Sequence, residues 1–286
     1  MSLPLSFSDL CKLSKFEIQL KKDDLESWNE FEKTVDYLPI CYSTSYADFN
    51  LAIQQYHGGD WFDYSIIFKT QNKLIAIWPF SISFKDNQYN LNSFGVPLLP
   101  PIFSNYASKK IRKKVIYDFN KILKFIYDKL KINKKILNSY IPFLNSPGLP
   151  LWFAMHTSQL QKLRVEYDLF LELNTSLDEI RKNFRKSYKP LISSAMNTWK
   201  SFKLTEYDKN IWSEFKELHL EAAGRVTRSE ETWDIHHELI RQKRAFLAFL
   251  RDEENKMIAC GFYWHTKSEC EYGVGAFDRS LFDRPI

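Results

Sequence analysis

Residues 62–84 read FDYSIIFKTQNKLIAIWPFSISF, and residues 245–266 read AFLAFLRDEENKMIACGFYWHT. Each stretch is a β-rich run, a polar turn and a second β-rich run. The second runs open on NKLIA and NKMIA, 183 residues apart. In the first stretch the turn falls on Thr70, Gln71 and Asn72. β-branched and aromatic runs on either side of an Asn-containing turn predict a hairpin. A short polar break follows each stretch, at 85–88 and 267–268, and then a third strand-like run at 89–96 and 269–277. Three antiparallel strands in succession are therefore expected twice.

The match extends upstream. Two helical patterns precede each set of strands, at 23–34 and 46–57 in the first copy and at 211–223 and 229–242 in the second. A strand-like segment precedes each pair, at 16–20 and 202–206. Strand, two helices and three strands, repeated in that order, predict an internal duplication. The first copy continues through a helix at 109–130 into strands near 135–140 and 167–173. Domains are expected at 1–165 and 166–286. In the first, 99 residues separate Asn72 from Leu171, whereas only 31 separate Asn255 from Ile286, so the second domain is expected to be incomplete.

The length, 286 residues, fits about two domains, and 44% hydrophobic with 16% aromatic residues excludes intrinsic disorder. Apolar stretches are only a handful of residues long, and the first ten residues lack a basic segment followed by a continuous apolar one. A soluble chain in the cytoplasm is expected, with the inner membrane face as the alternative. The four cysteines, at 11, 41, 260 and 270, form no C-x-x-C pair and are expected as reduced thiols. Eight glycines, with neither G-x-x-x-x-G-K-[ST] nor G-x-G-x-x-G, argue against Walker-type and Rossmann-type nucleotide binding.

The net charge of +5 is unevenly placed. Eleven Lys or Arg lie from Lys109 to Lys135 against Asp118 and Asp128, a local +9 that leaves the rest of the chain at −4. Within that segment Ile111, Val115, Phe119, Ile122, Ile126 and Leu130 recur at helical spacing and predict one buried face. The lysines around it read either as a solvated surface or as a patch for nucleic acid or an anionic membrane.

The order of elements, with DLFLELNTSLDEIRKNFRKSYKPLISSA at 168–195, LHLEAAGRVTRSEETW at 218–233 and EYGVGAFDRSLFDRPI at 271–286, resembles the FemAB-like tandem arrangement of GNAT acyltransferase domains. The resemblance implies an α+β fold of two GNAT-like domains, each a mostly antiparallel sheet flanked by helices. It implies transfer of an acyl or aminoacyl group, from acyl-CoA or aminoacyl-tRNA, to an amine of a cell-envelope or glycan precursor. No metal and no tightly bound cofactor is implied. The patch from Lys109 to Lys135 would dock a tRNA donor or a membrane-bound acceptor.

Acyl transfer needs a carbonyl held beside backbone donors and a route for protons. Gly273 and Gly275 interrupt a strand-like run, which calls for a bulge, a close backbone approach or an ordinary bend. The resemblance assigns them to the acyl donor. Nearby proton carriers are His265, Glu269, Glu271, Tyr272 and Asp278. Of these, Glu271 is the candidate base and Tyr272 the candidate acid. Alternation places Glu269, Glu271 and Gly273 on one face and Cys270, Tyr272 and Val274 on the other.

Thr227 with Glu230 reads as a capping box that starts a helix at Arg228, with Arg225 just before it. Free N–H groups and two guanidiniums there would suit a phosphate or carboxylate; salt bridges to Glu221 and Glu231 are the plainer reading. A second basic cluster, Arg181, Lys182, Arg185, Lys186 and Lys189, places Arg181 and Arg185 one helical turn apart. Arg185 is the candidate there for an acceptor phosphate, against a surface helix joining the two copies. Neighbouring His236 and His237 point about 100° apart on a helix and cannot share a metal. A non-catalytic anion-binding or assembly module with the same fold is the rival to an enzyme.

Overall fold

The computed structural model describes residues 4–132, 170–281 and 283. The strand expected at 135–140 lies outside the described residues, as does 167–169; the rest of the second expected strand, 170–173, is irregular. Two compact units are present. One comprises Met1–Gln159, Arg228–Ile235 and His265–Glu269; the other comprises Leu160–Thr227, His236–Trp264 and Cys270–Ile286.

The first unit opens with α1 (Phe7–Cys11) and β1 (Glu17–Leu20), followed by α2 (Leu25–Phe31) and α3 (Thr44–Tyr56). Asp24 and Ser43 cap these last two helices by accepting the amides of Ser27 and Tyr46. The strands β2 (Asp60–Asp63), β3 (Ile66–Thr70), β4 (Lys73–Trp78), β5 (Ser81–Lys85), β6 (Gln88–Asn92) and β7 (Ile102–Phe103) come next, then α4 (Lys109–Leu130). Asn72 does what its position predicts. Gln71 and Asn72 both have positive φ, 48° and 60°, and join β3 to β4 in a two-residue loop.

The second β-rich run does not stay in one sheet. Pro79 has no amide to give a ladder, and the run breaks there. β4 completes a sheet of order β1-β3-β4-β7, while β5 crosses into a separate sheet of order β2-β5-β6. The strand expected at 89–96 is therefore β6, paired to β5; the fourth place in the first sheet is taken by the two-residue β7, against Ala76 and Ile77.

Alternation along β3 and β4 supplies both faces of that first sheet. Ile66, Phe68, Ala76 and Trp78 pack against Val115, Phe119, Ile122 and Ile126 of α4. Ile67 and Ile77 face the other way, onto Trp28 and Phe31 of α2. The apolar stripe read from the sequence is thus the buried side of α4, with Phe119 edge-on to Trp78 at 4.3 Å. Lys110, Lys113, Lys114 and Lys124 remain on its exposed side, and Lys121 lies 4.6 Å over the ring of exposed Tyr117.

The second unit opens with two helices, α5 (Leu177–Asn183) and α6 (Tyr188–Thr198), where one joining helix is expected, and then follows the predicted order: β8 (Lys200–Leu204), α7 (Lys209–Ala223), α8 (Glu230–Arg241), β9 (Ala245–Arg251), β10 (Met257–His265) and β11 (Cys270–Phe277). α8 and β10 are its elements that also contribute residues to the first unit. The sheet order is β11-β10-β9-β8, the same succession as β7-β4-β3-β1. Trp212 and Phe215 of α7 and Phe262 of β10 are buried, and Trp212 sits edge-on to Phe262 at 5.9 Å. His236 stacks on Phe262 at 4.3 Å, and His237 lies between Tyr207 and Trp212 at 3.8 and 4.7 Å. Both histidines serve as core rings.

Candidate functional site

Gly273 and Gly275 lie in β11, beside β10. A Cβ on Gly275 would stand 2.5 Å from the Cys260 carbonyl oxygen and 2.4 Å from the Tyr272 hydroxyl, so no side chain fits. At Gly273 the nearest atom would be a ring carbon of Phe262, at 3.3 Å. Close backbone approach therefore accounts for Gly275. The register shift between β9 and β10 falls in β10 between Met257 and Ala259, rather than at these glycines.

Glu271 and Tyr272 are not brought together. The Glu271 carboxylate accepts the indole N–H of Trp264 at 3.4 Å, while the Tyr272 ring meets Tyr263 edge-on at 5.6 Å. Trp264 and Tyr263 are consecutive in a strand, so the two candidates serve opposite faces. Burial, with a contribution from Cys260, raises the Tyr272 phenol above its usual pKa and keeps it protonated at neutral pH. Such a group donates a proton rather than accepting one.

The other proton carriers have partners. Glu269 lies in the first unit, where its carboxylate accepts the Ile40 amide at 2.6 Å and the Tyr37 hydroxyl. Around it, Ser268 Oγ accepts the Leu38 amide at 2.9 Å and Thr266 Oγ1 donates to the Leu38 carbonyl at 3.0 Å. Asp278 accepts both the amide and the hydroxyl of Ser280, which hold its carboxyl below the usual range.

The capping box expected at Thr227 and Glu230 is not formed. Gly224, with φ of 67°, ends α7 in a left-handed cap. α8 starts at Glu230, capped by Ser229, whose Oγ accepts the Thr232 amide at 3.3 Å and shares a hydrogen bond with the Thr232 hydroxyl at 2.9 Å. Thr232 occupies the place a glutamate holds in a capping box. Arg225 is exposed, and Thr227 Oγ1 is buried with no hydrogen-bond partner among the described residues.

Arg228 stands in the first unit, ahead of that cap. Its guanidinium carbon lies 4.7 Å from the ring centre of Trp233 and 6.0 Å from that of Phe49 on α3. Nε and Nη1 are buried and have no acceptor among the described residues. Burial pulls the Arg228 pKa below its usual value. Asp48, next to Phe49, approaches the buried ammonium of Lys21 at 3.4 Å, and Asp63 closes on it at 2.7 Å. Burial alone would lower the Lys21 pKa, but the two carboxylates outweigh it and leave it raised. Lys21 is thus satisfied, whereas Arg228, beside two aromatic rings, has two donors without acceptors among the described residues. Neither Phe49 nor Lys21 is recognisable from sequence, since each reaches this place from another element.

Arg185 is exposed, and the helix expected to carry it ends at Asn183. Phe184 is extended, so Arg181 and Arg185 do not form a stripe on one helix. Among the described residues no three His, Cys, Asp or Glu side chains cluster to hold a metal ion, and no helix is long and apolar enough to cross a membrane.

No protein-family model matches this sequence, and neither does any curated relative. Among solved structures, that of FemX is similar with a TM-score of 0.56 and 10% identity, covering 90% of this chain and 80% of its own. A glucosamine N-acetyltransferase region of a fungal multi-domain β-N-acetylglucosaminidase matches 93% of this chain and 32% of its own, with a TM-score of 0.37 and 12% identity. A tandem GNAT protein from the clavulanic acid biosynthesis pathway matches 92% and 80%, with a TM-score of 0.36 and 8% identity. The chain has an α+β fold similar to that of FemX, with antiparallel sheets flanked by helices. Its likeness to FemX is one of fold.

Proposed function

We propose that this chain is an N-acyltransferase that moves an acyl or aminoacyl group from acyl-CoA or aminoacyl-tRNA to an amine of a cell-envelope or glycan precursor. The observation that carries the reading is Arg228, whose buried Nε and Nη1 lack acceptors among the described residues while its guanidinium carbon lies near the rings of Trp233 and Phe49. A buried guanidinium in this condition is destabilising until an anion meets it. A phosphate or carboxylate on the acceptor is the partner its geometry suits. In the second unit, Arg225, Thr227 and Arg185 are proposed as anion contacts in their own right, and Gly273 and Gly275 as the seat of the acyl donor.

In the reaction, the acceptor amine attacks the donor's carbonyl carbon. A C–N bond forms, the bond to the thiolate or ribose oxygen breaks, and the nitrogen loses a proton as the leaving group gains one. Tyr272, held protonated, is suited to supply that proton. Glu271, on the opposite face of β11, is proposed as the alternative proton carrier, so that one reaction centre uses one of the two. The exposed lysines of α4 are proposed to hold an RNA donor or a membrane-bound acceptor.

Incubation with acetyl-CoA, or with charged tRNA, and amino-sugar acceptors tests the transfer by mass spectrometry of the product. Replacing Arg228 with Met should raise the acceptor KM with little change in kcat, as expected when a ground-state binding contact is lost. Separation of Glu271 from Tyr272 favours a second reading, an anion-binding module without catalysis. It predicts retained anion binding and no product with any donor.

A further inference from the structure

α5 and α6 bury none of their residues, although helices of seven and eleven residues have little stability of their own in water. They are fastened to each other: Arg181 donates to the Ser193 hydroxyl, and Lys189 Nζ to the Lys182 carbonyl at 2.9 Å. Helical spacing collects Tyr188, Leu191, Ile192, Ala195 and Met196 within an arc of about 140° on α6. Such a face is ordinarily turned into a core. Here Leu177 at the start of α5 is 83% exposed, and Met196, Tyr188 and Leu191 are 69%, 53% and 52% exposed. Beside these side chains lie Arg181, Lys182, Arg185, Lys186 and Lys189, opposed only by Asp178 and Glu179 over 177–190.

We propose that the α5–α6 hairpin rests on an anionic lipid surface, with its aliphatic side chains at the boundary of the acyl chains and its cations among the phosphate headgroups. Both halves of the observation are needed. RNA would answer the cations, but single strands are held by successive aromatic platforms, and this face offers one ring, Tyr188, among the aliphatic Leu177, Leu191, Ile192 and Met196. A second copy of the chain would answer the aliphatic side chains while setting two basic hairpins against each other. An anionic bilayer meets both demands at once. α4 differs, because its apolar face is already spent on the core and its exposed side is basic without exposed aliphatic side chains. The proposal stands independently of acyl transfer.

Sedimentation of the full chain with vesicles tests it, comparing phosphatidylcholine alone with equal parts phosphatidylcholine and phosphatidylglycerol. Binding to the anionic vesicles alone is expected, weakening as salt is added. Leu177→Glu with Leu191→Glu should lower the partition coefficient roughly tenfold or more, since each substitution removes a buried aliphatic contact. Lys182→Glu with Lys186→Glu should lower it several-fold, and by more than Lys110→Glu with Lys113→Glu on α4. Near-UV circular dichroism checks that the variants are folded, and Leu177→Ser with Met196→Ser replaces the leucine pair if it is not. Absence of vesicle binding overturns the proposal. So does binding abolished by the α4 pair but not the leucine pair, or a dimer dissolved by the leucine pair when vesicles are not bound.

Discussion

Ile75 and Ile258 hold the same place in two different sheets. Each is the extra residue of a β-bulge, since pairing shifts by one between Leu74 and Ala76 against β3 and between Met257 and Ala259 against β9. Each carbonyl accepts the amide of the residue just past the last strand, Ser104 at 2.8 Å and Asp278 at 2.7 Å. Three residues before each bulge stands an asparagine with positive φ, Asn72 at 60° and Asn255 at 68°. The duplicated NK-x-I-A motif is therefore a duplicated turn and bulge, kept although the loops around it differ.

Because both asparagines hold the left-handed conformation, Asn72→Ala and Asn255→Ala should each destabilise the chain by about 1 kcal/mol, while Asn→Gly at either place should be close to neutral. Urea unfolding reads both. Equal loss from Ala and Gly at one position would show that its side chain, rather than its φ, matters there.

Gly275 and Gly273 should part company on substitution. Alanine at 275 meets a carbonyl oxygen at 2.5 Å and should cost about 2–3 kcal/mol, whereas alanine at 273 needs Phe262 to move by only a few tenths of an ångström. A shift of the unfolding midpoint for Gly275→Ala, with little for Gly273→Ala, is the expected pattern.

The Glu269 carboxylate receives the Ile40 amide and the Tyr37 hydroxyl. Glu269→Ala should destabilise by about 2 kcal/mol and speed hydrogen exchange at Ile40, as a partly buried donor loses a charged acceptor. Unchanged exchange at Ile40 would contradict that role.

Asp24 carries a pH dependence. The Lys69 ammonium and the Ser27 side chain and amide hold its carboxyl down from 3.8 to about 2. A depressed carboxyl contributes stability above its unfolded pKa, and that contribution is lost as pH falls from about 4 towards 2. Asp24→Asn should flatten the stability curve in that window and not at neutral pH. An identical acid limb in the variant would exclude Asp24 as a source of it.

Much of the fold was legible before any coordinates. The helices at 23–34, 46–57, 109–130 and 211–223 and the three successive strands of the second unit follow from apolar period and turn chemistry, which are local; the pairing of β8 with β9 does not. Pro79 marks the point at which the β-rich run of 72–84 divides between two sheets, a division that periodicity alone does not signal. The fourth strand of the first sheet, Ile102 and Phe103, is too short to leave a period. Ser229 displaced Thr227 as the cap because a threonine at 232 completes the turn without Glu230. Arg228 was visible, but its aromatic neighbours were not, since Phe49 lies on a helix far away in the chain. Faces along a strand are likewise readable: alternation already placed Glu271 opposite Tyr272.

Arg228→Met offers a test in which stability and binding move oppositely. Removing a buried guanidinium with unmet donors should leave the ligand-free chain as stable as before, or more stable by on the order of 1 kcal/mol. A loss of stability would mean that the guanidinium is already satisfied in the ligand-free chain.

The most direct measurement is calorimetric titration of the whole chain and its Arg228→Met variant with pyrophosphate. The account predicts saturable binding to the unaltered chain, weakened at least about tenfold in a variant that is equally well folded, the factor expected for about 1.4 kcal/mol from one charged contact. Equal affinity in both, or no binding to the unaltered chain, would contradict it.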